Sequence, residues 1–255
     1  MNGIALIARN TFREATRDRL LVGVFVAGLV LFLATQVLSP LALGESRRLT
    51  VDVGLSGISL LGLLMVLLVA TNLVAKEIER RTIFNLLSRP LTRPAYLVGK
   101  WAGLCAALWV VAGGLGAVLA LVLTLRGDGA MALPVLQGAY FAALELAVIT
   151  AAAVLFSALS TPVLSSLYTL GLFLAGSWSY DLRSFAASFP GSLRTMVDVI
   201  ACAVPNLPVF NTRSLAAAGQ LADPLHVGLA TAYAALSIAC MLALGSAAFE
   251  TRDFK

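Results

Sequence analysis

Residues 101–125 read WAGLCAALWVVAGGLGAVLALVLTL, a run without a single charged side chain. At about 1.5 Å per residue, a helix of this length spans about 37 Å, more than the roughly 30 Å hydrocarbon core of a bilayer. The apolar residues are continuous and do not alternate, so a strand of a membrane barrel does not fit. The stretch therefore reads as a transmembrane helix. Five further runs read the same way: Leu20–Leu38, Leu55–Ala75, Val135–Leu159, Pro162–Ser179 and Val227–Phe249. No small-residue cleavage site follows the first run, because Gln36-Val37-Leu38-Ser39 is a poor match, so it is expected to be a retained helix. The expected fold class is all-α, integral to the membrane, with six transmembrane helices.

Composition supports this. The 255 residues (26.6 kDa) are 60% hydrophobic and 12% charged, with a mean hydropathy of +0.93. Soluble domains are about 45–50% apolar and about 25% charged. One water-facing globule cannot hide this much apolar surface, which argues against a soluble enzyme or a free nucleic-acid-binding domain. The net charge of +5 is read as orientation, not as nucleic-acid binding. On one side of the spans lie Arg9, Arg13, Arg17, Arg19, Lys76, Arg80, Arg81, Arg89, Arg93, Lys100, Arg252 and Lys255. On the other lie half as many: Arg47, Arg48, Arg126, Arg183, Arg194 and Arg213. Acidic residues are equal in number on the two sides. The positive-inside rule then places both termini in the cytoplasm, with an even number of spans.

Three segments lie outside the spans. In residues 1–19, Ile4, Ile7, Ala8, Phe12 and Ala15 share one helical arc, and Arg9, Arg13 and Arg17 form a separate stripe at i, i+4, i+8. An interfacial helix is expected, its apolar arc in lipid and its arginines toward phosphates or a partner. Residues 76–100, KEIERRTIFNLLSRPLTRPAYLVGK, form the longest basic cytoplasmic segment. Thr82 is placed to cap a short helix, while Pro90 and Pro94 prevent a long one. Ile83, Phe84, Leu86 and Leu87 are apolar outside the bilayer core and need a partner or the lipid interface. Residues 180–225 form the longest outer segment. Within it Met196–Val204 is apolar but too short to span, and a loop is expected from there to Asp223-Pro224. No linker or repeat divides the chain, so residues 1–255 read as one membrane domain.

Reactive chemistry is sparse. His226 is the only histidine, no Gly-x-Ser-x-Gly elbow or phosphate-binding loop occurs, and Cys105, Cys202 and Cys240 lie in separate segments. No catalytic residue and no metal site are assigned. Glu145 stands near the middle of the fourth span, where a charge is costly and faces a bundle interior or a wet cavity. It reads either as a pathway residue or as an acid held for structural reasons. Asn72, with Thr71, and Ser177 and Ser179 are candidate interhelical polar contacts, and Gly113, Gly114 and Gly116 admit close helix packing.

The 76–100 segment carries a resemblance. Lys76-Glu77-Ile78-Glu79-Arg80-Arg81-Thr82, Leu86-Leu87-Ser88-Arg89-Pro90-Leu91-Thr92-Arg93 and Gly99-Lys100 closely resemble the cytoplasmic signature of type-2 ABC exporter permeases. Arg81 stands where many members carry Gly. The resemblance runs over essentially the whole chain. Pro205–Asn211 and the closing Phe249-Glu250-x-x-Asp253-Phe254 look like the subgroup related to the permease of the nitrous oxide reductase maturation system.

This resemblance implies a permease that is not itself an enzyme. It implies a second permease copy and two copies of an ABC ATPase as partners, in the cytoplasmic (inner) membrane. A periplasmic accessory protein is a further implied partner. No cofactor is implied in this chain, since ATP and Mg would be bound by the ATPase. By carry-over, the coupling contact would be borne by Glu77, Glu79, Arg80, Thr82, Phe84, Leu87, Arg89, Pro90 and Arg93, with the elbow-helix arginines Arg9, Arg13 and Arg17 touching the same partner. Two other readings stay open: a proton- or ion-coupled carrier using Glu145, and a membrane scaffold of a periplasmic maturation complex. The substrate is not identified by the sequence.

Overall fold

Backbone groups in hydrocarbon must bond to one another, which a helix does within a single segment. In the computed structural model, residues 3–38, 46–70, 93–179 and 204–250 are described, and every regular element among them is helical. The elements are α1 (Gly3–Arg17), α2 (Arg19–Leu38), α3 (Ser46–Met65, prolonged by a π-helical turn, Val66–Ala70), α4 (Arg93–Leu125), α5 (Ala132–Leu159), α6 (Pro162–Ser177), α7 (Arg213–Ala217) and α8 (Pro224–Glu250).

Five helices are long and apolar enough to cross a membrane: Arg19–Val37, Ser46–Val69, Pro94–Leu125, Gly129–Leu159 and Pro224–Ala248. The expected span Pro162–Ser179 appears as α6, a helix of 16 residues and thus about 24 Å. Two helices start earlier than the apolar runs suggested. α3 begins at Ser46, not Leu55, and α4 at Arg93, not Trp101. Hydropathy marks only the part of a helix that sits in lipid, while both of these continue past it through charged turns. At the tip of α3, Arg47 Nε meets Asp128 Oδ1 at 3.2 Å, beside the reversal between α4 and α5. Gly127 makes that reversal with a positive φ of 89°, a backbone state that favours glycine.

The helix breaks are local. Asp18 separates α1 from α2, and its Oδ1 accepts the Leu20 N–H at 3.0 Å, capping α2. Ser160 is extended, and Pro162 opens α6 at a position where the missing N–H costs nothing.

α5 is the central helix. Residues 141–154 are buried without interruption, and α3, α4, α6 and α8 pack around it. Its surface is apolar on every side, as a fully enclosed helix requires. Alanines and glycines bring its neighbours close. A Cβ on Gly116 of α4 would lie 2.5 Å from the Ala139 Cβ, and one on Gly114 would lie 3.1 Å from the Phe25 ring. Gly113 faces open space.

Residues 196–203, where a short outer helix was expected, lie outside the described residues. The expected loop that follows is structured: a 3-10 turn, Leu207–Phe210, precedes α7. Residues 204–223 form a cap over the end of the bundle where α3, α5 and α8 begin. Polar contacts tie it down. The Ala222 N–H donates to Gln137 Oε1 at 2.8 Å, the Asn206 N–H donates to the Tyr233 hydroxyl at 2.7 Å, and His226 Nε2 meets the Val209 carbonyl at 3.1 Å. Ser179, expected as an interhelical contact, donates to Asn206 Oδ1 at 2.9 Å.

Candidate functional site

At the end opposite the cap, α1 lies along the first part of α4. Its buried residues are Ile7, Thr11 and Ala15, at i, i+4, i+8. The contact is close because α4 offers Gly99 and Gly103 at the same spacing. A Cβ on Gly99 would lie 2.8 Å from the Ile7 Cβ, and one on Gly103 would lie 2.5 Å from the Ala8 carbonyl oxygen. The expectation that the apolar arc of α1 faces lipid is thus corrected in part. Ile7 and Ala15 face protein, Thr11 joins them, Phe12 is half-buried, and Ile4 is exposed. Arg9, Arg13 and Arg17 each follow a buried residue by two positions, about 200° around the helix. They point away from α4 and are exposed. Lys100 is buried in α4, and its Nζ lies 3.8 Å from Glu14 Oε2 on α1.

Asn72 and the coupling residues Glu77, Glu79, Arg80, Thr82, Phe84, Leu87, Arg89 and Pro90 lie outside the described residues. Arg93 is the first residue of α4. The segment that holds them joins the π-turn of α3 to the start of α4, the part of α4 that α1 covers. A π-turn interrupts the regular i→i−4 ladder and commonly marks a functional position.

A second polar feature lies inside the bundle. Glu145 is 9% exposed and accepts a hydrogen bond from Ser59 of α3, Oγ to Oε2 at 3.1 Å. One turn closer to the cap on α3, Ser56 Oγ accepts from Arg213 Nη1 of α7 at 3.2 Å. Arg213 also interacts electrostatically with Glu145. Ser59 and Glu145 each lie thirteen residues from the start of their helices, about 20 Å below the cap end. Sequence reading singled out Glu145 but missed Ser56, Ser59 and Arg213. The i, i+3 serine pair in an apolar run was the available signal.

The third feature is a groove of about 780 Å³ between α4 and α8, floored by α5 at Leu144 and Ala147. Its walls are almost wholly apolar. Trp101 and Trp109 line it, and their indole N–H groups donate to the Ala147 and Ala143 carbonyls, each at 3.1 Å, which fixes both rings. Among the described residues, no three His, Cys, Asp or Glu side chains gather as metal ligands would. His226 is taken up by Val209 and by the Phe141 ring, whose centroid is 5.6 Å away.

The arrangement is a transmembrane bundle with a basic helix strapped to one end and a polar cap on the other. Nothing in it resembles a reactive cluster. A family model described as ABC-2 family transporter protein matches residues 5–254. No curated protein matches the chain.

Proposed function

Because this chain belongs to the ABC-2 family of transporter proteins and is a membrane permease of an ABC transporter, we propose that it docks a separate ATPase through residues 76–100 and α1. The observation that carries this reading is the strap at the start of α4. α1 buries one row against Gly99 and Gly103 and turns Arg9, Arg13 and Arg17 outward, beside the point where the 76–92 segment enters α4. A push on that segment would move α1 and α4 together, because a backbone-to-backbone contact leaves no slack between them. ATP would drive such a motion only by binding one arrangement better than the other.

In this reading α6 is the short fifth of six spans, and both termini are cytoplasmic by the charge distribution. Two copies pair and meet two ATPase subunits, which hold ATP and Mg, in an export system of the cytoplasmic membrane. The Pro205–Asn211 stretch, which forms the turn of the cap, supports the narrower likeness to the nitrous oxide reductase maturation permease and a periplasmic accessory partner there. A carrier that takes up protons at Glu145 is less well supported, since Ser59 and Arg213 already engage that acid.

The test is co-purification with the ATPase encoded beside this chain, in the wild type and with Glu79→Arg plus Phe84→Asp. Association in the wild type that the variant loses, with its melting temperature unchanged, is the expected result. No association, or binding indifferent to those changes, refutes the docking reading.

A further inference from the structure

We propose that Arg213 and Glu145 form a latch that holds the cap on the bundle through Ser56 and Ser59, and that the latch opens when α3 turns. The two charges come from elements far apart in sequence, and only the fold brings them together. Glu145 is enclosed, and Ser59 supplies one hydroxyl donor to it. A single neutral donor does not compensate a carboxylate in an apolar bundle. Arg213 supplies the opposing charge. Its helix, α7, is seated by buried Thr212, Ala216 and Ala217, so the guanidinium is directed inward by the packing of its own segment.

The remaining side-chain ties of the cap are neutral and sit at its two ends. Asn206 and Val209 bond to α8 residues, and Ala222 bonds to Gln137 of α5. Arg213 is the charged tie between them, and it is the one that reaches α3. Both serines that complete the seam lie on α3, one turn apart on one face. Rotation of α3 would therefore withdraw both at once, separating Arg213 from Ser56 and Glu145 from Ser59. α3 is also the helix whose other end is the π-turn leading into residues 71–92. The cap would lift when that segment moves. The source of the α3 motion rests on the permease reading, but the latch does not, and it is tested without any ATPase.

The experiment uses purified full-length chain with Cys105, Cys202 and Cys240 replaced by alanine. A reporter cysteine is placed at Ala217, buried beneath α7, and its maleimide labelling rate is measured. Arg213→Gln and Glu145→Gln are each expected to speed labelling at least about tenfold, since removing one partner strands the other. The double variant should label no faster than the faster single, because the pair acts as a unit. Ser56→Ala, which leaves both charges in place, should raise the rate by a smaller factor. A second reporter at Ala153, fully buried in α5, must stay unlabelled throughout and separates cap opening from unfolding. If a charge variant labels at both positions, Ser56→Ala alone decides the matter. Unchanged rates at Ala217, or single effects that multiply in the double variant, overturn the latch. If labelling behaves as expected while no ATPase binds, the latch stands and the docking proposal falls.

Discussion

Gly103 of α4 lies so close beneath α1 that a methyl group there would sit 2.5 Å from the Ala8 carbonyl oxygen. The obstacle is backbone, so no rotamer change relieves it. Gly103→Ala is expected to destabilise the fold by about 1–3 kcal/mol, the usual cost of overpacking a tight contact. Gly113→Ala, ten residues on and facing open space, should be neutral or stabilising by up to about 1 kcal/mol through helix propensity. Thermal unfolding of both variants in one detergent checks the contrast. Equal effects would sink the strap.

The two faces of α1 should separate by function. Ile7→Asp places a charge in the α1–α4 contact and should free α1, read as faster trypsin cleavage after Arg9, Arg13 and Arg17. Replacing those three exposed arginines by glutamate should leave thermal stability within about 0.5 kcal/mol per site. It should nevertheless weaken retention of the ATPase in a pull-down. A large loss of stability from the arginine changes would mean that the row packs against the chain itself.

Ser59→Ala removes the donor to Glu145 without creating much empty space. Hydrogen bonds between membrane helices contribute about 0.6 kcal/mol on average and up to about 2 kcal/mol. We expect a loss in that range, larger than for Ser166→Ala, whose hydroxyl bonds only to the Val163 carbonyl of its own helix. Melting curves of the two alanine variants decide it, and a larger effect at Ser166 would count against the seam.

Trp109 is 45% exposed on the wall of the α4–α8 groove. With Trp178 replaced by phenylalanine, brominated acyl chains in reconstituted vesicles should quench the remaining indole fluorescence. Trp109→Phe should remove most of the quenched component. Fluorescence indifferent to bromination would place a protein surface over the groove.

Several features were readable from residues alone because their causes are local. An apolar run of bilayer length predicts a helix whatever surrounds it, and α2, α4, α5 and α8 lie where such runs occur. The start of the last helix at Pro224 and the break at Ser160-Thr161-Pro162 follow from proline chemistry. The likeness to ABC exporter permeases rested on residues 76–100 and agrees with the family match over residues 5–254. Residues between Pro205 and Asp223 were misread as loop, because a 3-10 turn and a five-residue helix are too short to show a period.

The sequence by itself determined which segments are helices and which end of the chain carries the basic face, since hydropathy, helix breakers and charge act within a few residues. Only the tertiary structure decided which helix became the centre and which residues became partners. The apolar residues of α5 are not confined to one face, so its pattern does not say that four helices will enclose it. Arg213 reads as one more charge outside the spans until folding sets it against Ser56 and within electrostatic reach of Glu145. Gly103 reads as a weak point in a helix until α1 is laid across it. Spacing along the chain constrains neighbours within a helix, whereas contacts between helices depend on which surfaces fit, and that is a property of the packed bundle.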